Sequence, residues 1–114
     1  MKLKRYFTEP EYRAFCKMRS RHRRELVKLA KHSNDFDYEY IHELVVLKLK
    51  HFLEYYSANN NVWMDEDTRH EIINSLEICL NANNEILESL SFSDTERFKK
   101  FYNLVAEYIT FWWD

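Results

Sequence analysis

Hydrophobic residues recur along this chain at intervals of three and four positions, the period of an amphipathic helix. The pattern predicts helices over residues 9–31, 36–57, 66–90 and 94–112. The chain has no glycine and one proline, which disfavours β-hairpins, because their tight turns depend on glycine or asparagine. Short connections favour antiparallel neighbours. We therefore predict an all-α single domain, residues 1–114, folded as a compact bundle of about four mostly antiparallel helices with a basic N-terminal helix.

The starts of the predicted helices carry sequences that satisfy free backbone N–H groups. Residues Thr8 to Glu11 form a capping box, with Thr8 as the cap and Glu11 reaching back to it. Residues 93–96 have the same pattern, and the acidic residues 65–67 place negative charge at the positive end of the third helix. These signals support the predicted helix starts.

The hydrophobic faces of the first two helices differ in width. The first runs through Phe15 and Cys16 and resumes at Leu26, and the arginine-rich residues 19–24 interrupt it. We expect this helix either to project beyond the bundle there or to bend. The second is hydrophobic around more than half of its circumference, which is typical of a central helix.

The charge of the chain is split between its ends. Residues 1–32 carry eleven lysines and arginines against three acids, whereas residues 33–114 carry six against sixteen. A basic segment of this kind binds an anionic partner, the acidic body of its own chain, or a second copy. The candidate binding residues on the first helix are Arg19, Arg23, Arg24 and Lys28.

Tryptophans supply two further candidate contacts. Trp112 continues the hydrophobic stripe of the last helix, so it is expected in the core. Trp113 points about 100° away from it, and either packs under the basic helix or is exposed as an interface anchor. Trp63 has the same two alternatives, and we include Trp63 and Trp113 among the candidate binding residues.

Catalytic and cofactor motifs are not evident. The glycine-rich phosphate-binding loops of nucleotide-binding proteins are excluded, because this chain has no glycine. Cys16 and Cys79 both fall in hydrophobic helical stripes and are expected to be buried free thiols. His42 and His70 each follow a carboxylate by three residues, but no further inward-facing carboxylates complete a di-metal set. We therefore interpret these as surface histidines and expect no metal site, no cofactor and no catalytic residue.

A set of features resembles small proteins encoded by tailed bacteriophages. They are the acidic helix start at residues 35–37, the run at residues 44–49, Val62 leading to residues 65–66, and the ending Trp112-Trp113-Asp114. The resemblance implies a small viral protein in the bacterial cytoplasm. Such proteins are commonly accessory factors that bind a host protein or counter a host defence. The resemblance implies no particular activity and no cofactor.

These patterns predict a non-enzymatic interaction protein that binds a host protein or itself, with a homodimer or small oligomer expected. The alternative is binding of nucleic acid or an anionic nucleotide through residues 13–31. Nucleic-acid-binding domains are usually basic overall, whereas the formal net charge here is −2. No hydrophobic stretch approaches the length of a membrane span, and the reduced thiols fit a cytoplasmic location.

Overall fold

A computed structural model of the chain describes residues 8–58, 64–88 and 95–112. They form four α-helices and no strand, which confirms the predicted all-α bundle. A single turn of 3₁₀-helix, Ile109–Phe111, continues the last helix, where the sequence pattern predicted α-helix to residue 112. The helices are α1 (Glu9–His32), α2 (Tyr38–Ser57), α3 (Glu66–Leu87) and α4 (Thr95–Tyr108).

Side-chain caps fix three of the helix starts. The Thr8 amide donates to Oε2 of Glu11 at 3.1 Å, and the Glu11 amide donates to Oγ1 of Thr8 at 3.3 Å, so the capping box is confirmed. The carboxylates of Asp37 and Asp65 accept hydrogen bonds from backbone amides in the first turns of α2 and α3. The capping box predicted at residues 93–96 lies partly outside the described residues.

The core lies mainly on α3, which packs against α2 on one side and α4 on the other. Tyr56, Phe101 and Leu76 are among the side chains that are almost completely removed from solvent. Trp112 is buried beside them, as predicted from its place in the last hydrophobic stripe. Helix α2 lies between α1 and α3, but part of its hydrophobic circumference is exposed, including Ile41.

Helix α1 is continuous through the polar segment that interrupts its hydrophobic stripe. Phe15 is its one buried residue within residues 9–32, and half-buried Met18, His22 and Leu26 extend the same face. His22 therefore fills the position that the hydrophobic pattern left open. Because His22 packs on α2, the helix does not project away from the bundle at this point.

None of the helices in the described part of the chain is both long and hydrophobic enough to cross a membrane.

Candidate functional site

The exposed side of α1 carries a basic face, which we define as Arg23, Arg24, Lys28 and Lys31. All four side chains are exposed, and with Val27 and His32 they line a shallow open groove. None of the four forms an ion pair or hydrogen bond with another described residue. Their charge therefore faces solvent without a partner from the described parts of the bundle.

The other binding residues predicted from the sequence are Arg19, Trp63 and Trp113. Arg19 is exposed one turn before Arg23 and does not line the groove. Trp63 and Trp113 lie outside the described residues. Of the six candidates, the structure therefore brings together Arg23, Arg24 and Lys28.

Exposed hydrophobic side chains occur where α2 begins. We define this apolar patch as Phe36, just before α2, with Ile41 and Leu44, which lie three residues apart and share one helix face. Phe36 is 98% exposed, Ile41 is 64% exposed and Leu44 is 37% exposed. Clustered exposed hydrophobic residues are a mark of interaction surfaces, whereas isolated ones are common on any protein.

A cluster of histidines and carboxylates joins α1 to α2 on the packed side of α1. The rings of His22 and His51 are stacked, with centroids 3.8 Å apart and an interplanar angle of 6°. Nε2 of His22 lies 2.9 Å from Oε1 of Glu54, and Nε2 of His51 lies 3.6 Å from Oε1 of Glu25. Arg21 forms ion pairs with both of these carboxylates. The cluster therefore links the two helices through the contacts of Arg21 and His22 with Glu54.

The surroundings shift the proton affinities of this cluster. Burial, followed by the neighbouring His22, lowers the pKa of His51, because both disfavour a charged ring. The hydrogen bond from Arg21 is the main cause of the lowered pKa of Glu54, and the same bond raises the pKa of Arg21. The structure therefore favours a neutral His51 beside an ionised Glu54.

The prediction that His42 lies on the surface is wrong. His42 is half-buried, with its Nδ1 2.8 Å from the hydroxyl of Tyr102 and its Nε2 2.7 Å from Oδ1 of Asn83. Both ring nitrogens are thus engaged within the bundle. Burial raises the pKa of Tyr102, which keeps its hydroxyl protonated. His70 is exposed, as predicted, and lies 3.6 Å from Glu66.

The two cysteines occupy different environments. Cys79 is buried, as predicted, and burial raises the pKa of its thiol to about 11. Cys16 is exposed, so the prediction of a buried thiol is wrong there. Phe15 holds the buried position on α1, and the next residue along a helix turns about 100° away from it.

The sequence carries a signal for the histidine cluster, which is a histidine followed three residues later by a glutamate. His22 precedes Glu25 by three residues, and His51 precedes Glu54 by three residues. Residues three apart share a helix face, so two such pairs on packed helices bring four polar groups together. The opposite order, a carboxylate three residues before a histidine, occurs only at His42 and His70.

Comparison of the chain with protein families, with curated proteins and with solved structures finds no match.

Proposed function

We propose that this chain is a non-enzymatic interaction protein of bacteriophage type that binds an acidic surface of a host protein in the bacterial cytoplasm. The observation that carries the proposal is the unpaired basic face of α1. The resemblance to small phage proteins supplies the proposed cellular context.

Charge complementarity supports an acidic partner. The four cations of the basic face lie within nine residues of one helix, and no described acid neutralises them. Complementary charge on a partner would raise the rate of encounter and fix its orientation. Arginine is also enriched in protein interfaces, whereas lysine is depleted. Arg23 and Arg24 are therefore the proposed central contacts.

The apolar patch supports a partner that is a protein. Phe36 lies in the short connection that follows α1, and Ile41 is in the first turns of α2. Both expose large hydrophobic surface near the end of α1, which a folded partner would remove from water at a gain of roughly 25 cal/mol per Å². A site of mixed charge and exposed hydrophobic residues matches the composition of protein interfaces.

Self-association is the alternative form of this proposal. Residues 33–114 carry ten more acidic than basic residues, so a second copy also offers an acidic surface. A homodimer or small oligomer formed through the basic face would be dissociated by salt and by charge reversal. Analytical ultracentrifugation at low and moderate salt measures this directly.

The experiment is affinity capture from a bacterial lysate, with and without nuclease, analysed by mass spectrometry. The proposal expects one protein to be enriched in both arms by the wild-type chain, and to be lost when Arg23→Glu and Arg24→Glu are combined. Enrichment that survives this double substitution would contradict a role for the basic face.

Binding of nucleic acid or an anionic nucleotide is the second candidate, and the same unpaired basic face supports it. Its affinity would fall steeply with salt, because bound phosphates release counterions. Among the described residues that line the basic groove, His32 supplies the one aromatic ring and there is no Phe, Tyr or Trp, so an extended platform for base stacking is lacking there. Capture that disappears after nuclease treatment would favour this candidate over a protein partner.

A further inference from the structure

Two His-x-x-Glu sequences face each other across the contact between α1 and α2. His22 and Glu25 share one face of α1, and His51 and Glu54 share one face of α2. The pairs cross, because His22 contacts Glu54 and His51 faces Glu25. One metal-binding atom from each of His22, Glu25 and His51 lies within 4.8 Å of the other two.

His51 supplies an independent observation that this cluster is built for a ligand. Its side chain is only 6% exposed, and neither ring nitrogen has a hydrogen-bond partner among the described residues. The 3.6 Å separation from Glu25 is too long for a hydrogen bond. Buried polar side chains are normally paired, because leaving one without a hydrogen-bond partner destabilises the folded protein. A metal ion would satisfy one of these nitrogens.

We propose that His22, Glu25 and His51 bind a divalent transition metal ion of the Zn²⁺ class. Two imidazoles and one carboxylate form a ligand set that Zn²⁺ uses in proteins, with a water molecule as the fourth ligand. The carboxylates of Glu25 and Glu54 balance the positive charges of Arg21 and of Lys48, which also acts on His51. The ion links α1 to α2, and its site lies on the packed face of α1, away from the basic face.

The same geometry predicts how the site responds to the ion. A metal binds an imidazole nitrogen in the plane of the ring, whereas the two rings lie face to face within 6° of parallel. Binding therefore turns at least one ring out of the stack. Mg²⁺ and Ca²⁺ prefer oxygen ligands, so the site discriminates against both.

Calorimetric titration of the purified protein with ZnCl₂ tests the proposal. The wild type is expected to bind one Zn²⁺ per chain at this cluster, and His22→Gln and Glu25→Gln are each expected to weaken that binding at least roughly tenfold, the effect typical of disturbing a metal site. His70→Gln is the matched control, since His70 also lies 3.6 Å from a glutamate but is exposed. Absence of Zn²⁺ binding, or equal weakening by His70→Gln, would overturn the proposal.

Thermal unfolding supplies a second readout that does not depend on substituting the buried His51. Zn²⁺ is expected to raise the unfolding midpoint of the wild type and of His70→Gln, because a ligand that binds only the folded state stabilises it. The rise is expected to be absent in His22→Gln. An equal rise produced by MgCl₂, or by ZnCl₂ in His22→Gln, would contradict the site.

Discussion

The indole nitrogen of Trp112 donates a hydrogen bond to Oγ of Ser75 across a distance of 2.9 Å. This bond ties the C-terminal turn to the middle of α3, and both residues are buried. Ser75 in turn donates its hydroxyl proton to the carbonyl oxygen of Ile72 at 2.7 Å. The Ser75 hydroxyl thus accepts the hydrogen bond of the indole N–H of Trp112, whose ring otherwise packs among hydrophobic side chains.

Ser75→Ala is expected to destabilise the protein by about 1–3 kcal/mol, because it leaves a buried indole N–H without a partner. Chemical denaturation of the variant measures the change. Ser20→Ala removes an exposed hydroxyl and is expected to change stability by less than about 0.5 kcal/mol. Equal effects of the two substitutions would show that the bond to Trp112 does not contribute to stability.

The polar contact between α2 and α3 is expected to contribute on a similar scale. Asn83→Ala removes the oxygen that faces Nε2 of His42, and we expect a loss of about 1–3 kcal/mol in the free energy of unfolding. The neighbouring Asn84 is exposed and provides the control substitution Asn84→Ala. If the two alanine variants unfold at the same denaturant concentration, the contact with His42 is not stabilising.

The thiols are expected to differ in reactivity. Cys79 is buried and its pKa is raised to about 11, so only a minute fraction is thiolate at neutral pH. Cys16 is exposed. A thiol reagent is therefore expected to modify one cysteine per folded chain and two per unfolded chain. The fast reaction should disappear in Cys16→Ser, and its persistence there would contradict the assigned burial of Cys79.

The cap of α3 predicts a pH dependence of stability. The backbone amide of Thr68, followed by its hydroxyl, donates to Asp65 and lowers the pKa of that carboxyl below its usual 3.8. A carboxyl whose pKa is lower in the folded protein stabilises it above its unfolded pKa, and this contribution is lost as pH falls through the folded pKa. Asp65→Ala is therefore expected to destabilise the protein more at neutral than at strongly acidic pH. An equal effect at both would contradict the cap.

The sequence was sufficient to predict the helices, because their periodicity and caps are local properties of the chain. Thr8 and Glu11 pair within one turn, and Trp112 follows a regular hydrophobic stripe. Both predictions depended on residues within a few positions of one another. The end of α4 was less predictable, since its last turn tightens to 3₁₀ geometry.

The histidine contacts could not be predicted in the same way, because each depends on the register between helices. His22 is flanked by arginines in a polar segment, yet the packing of α1 on α2 places its ring on His51. His42 lies beside the hydrophobic seam of α2, yet Asn83 and Tyr102 reach it from two other helices. Sequence spacing identifies which residues share a face of a helix, but it does not determine which side chains of other helices pack against that face.

The most direct test of the proposed function compares partner capture by three forms of the chain. Charge reversal of the basic face, Arg23→Glu with Arg24→Glu, is compared with the wild type and with Lys99→Glu combined with Lys100→Glu. The control pair changes the net charge equally at two exposed positions on α4, where the ion pairs lost are worth little. The account predicts that capture is lost only in the α1 variant. Equal capture by all three forms, or equal loss in both variants, would contradict it.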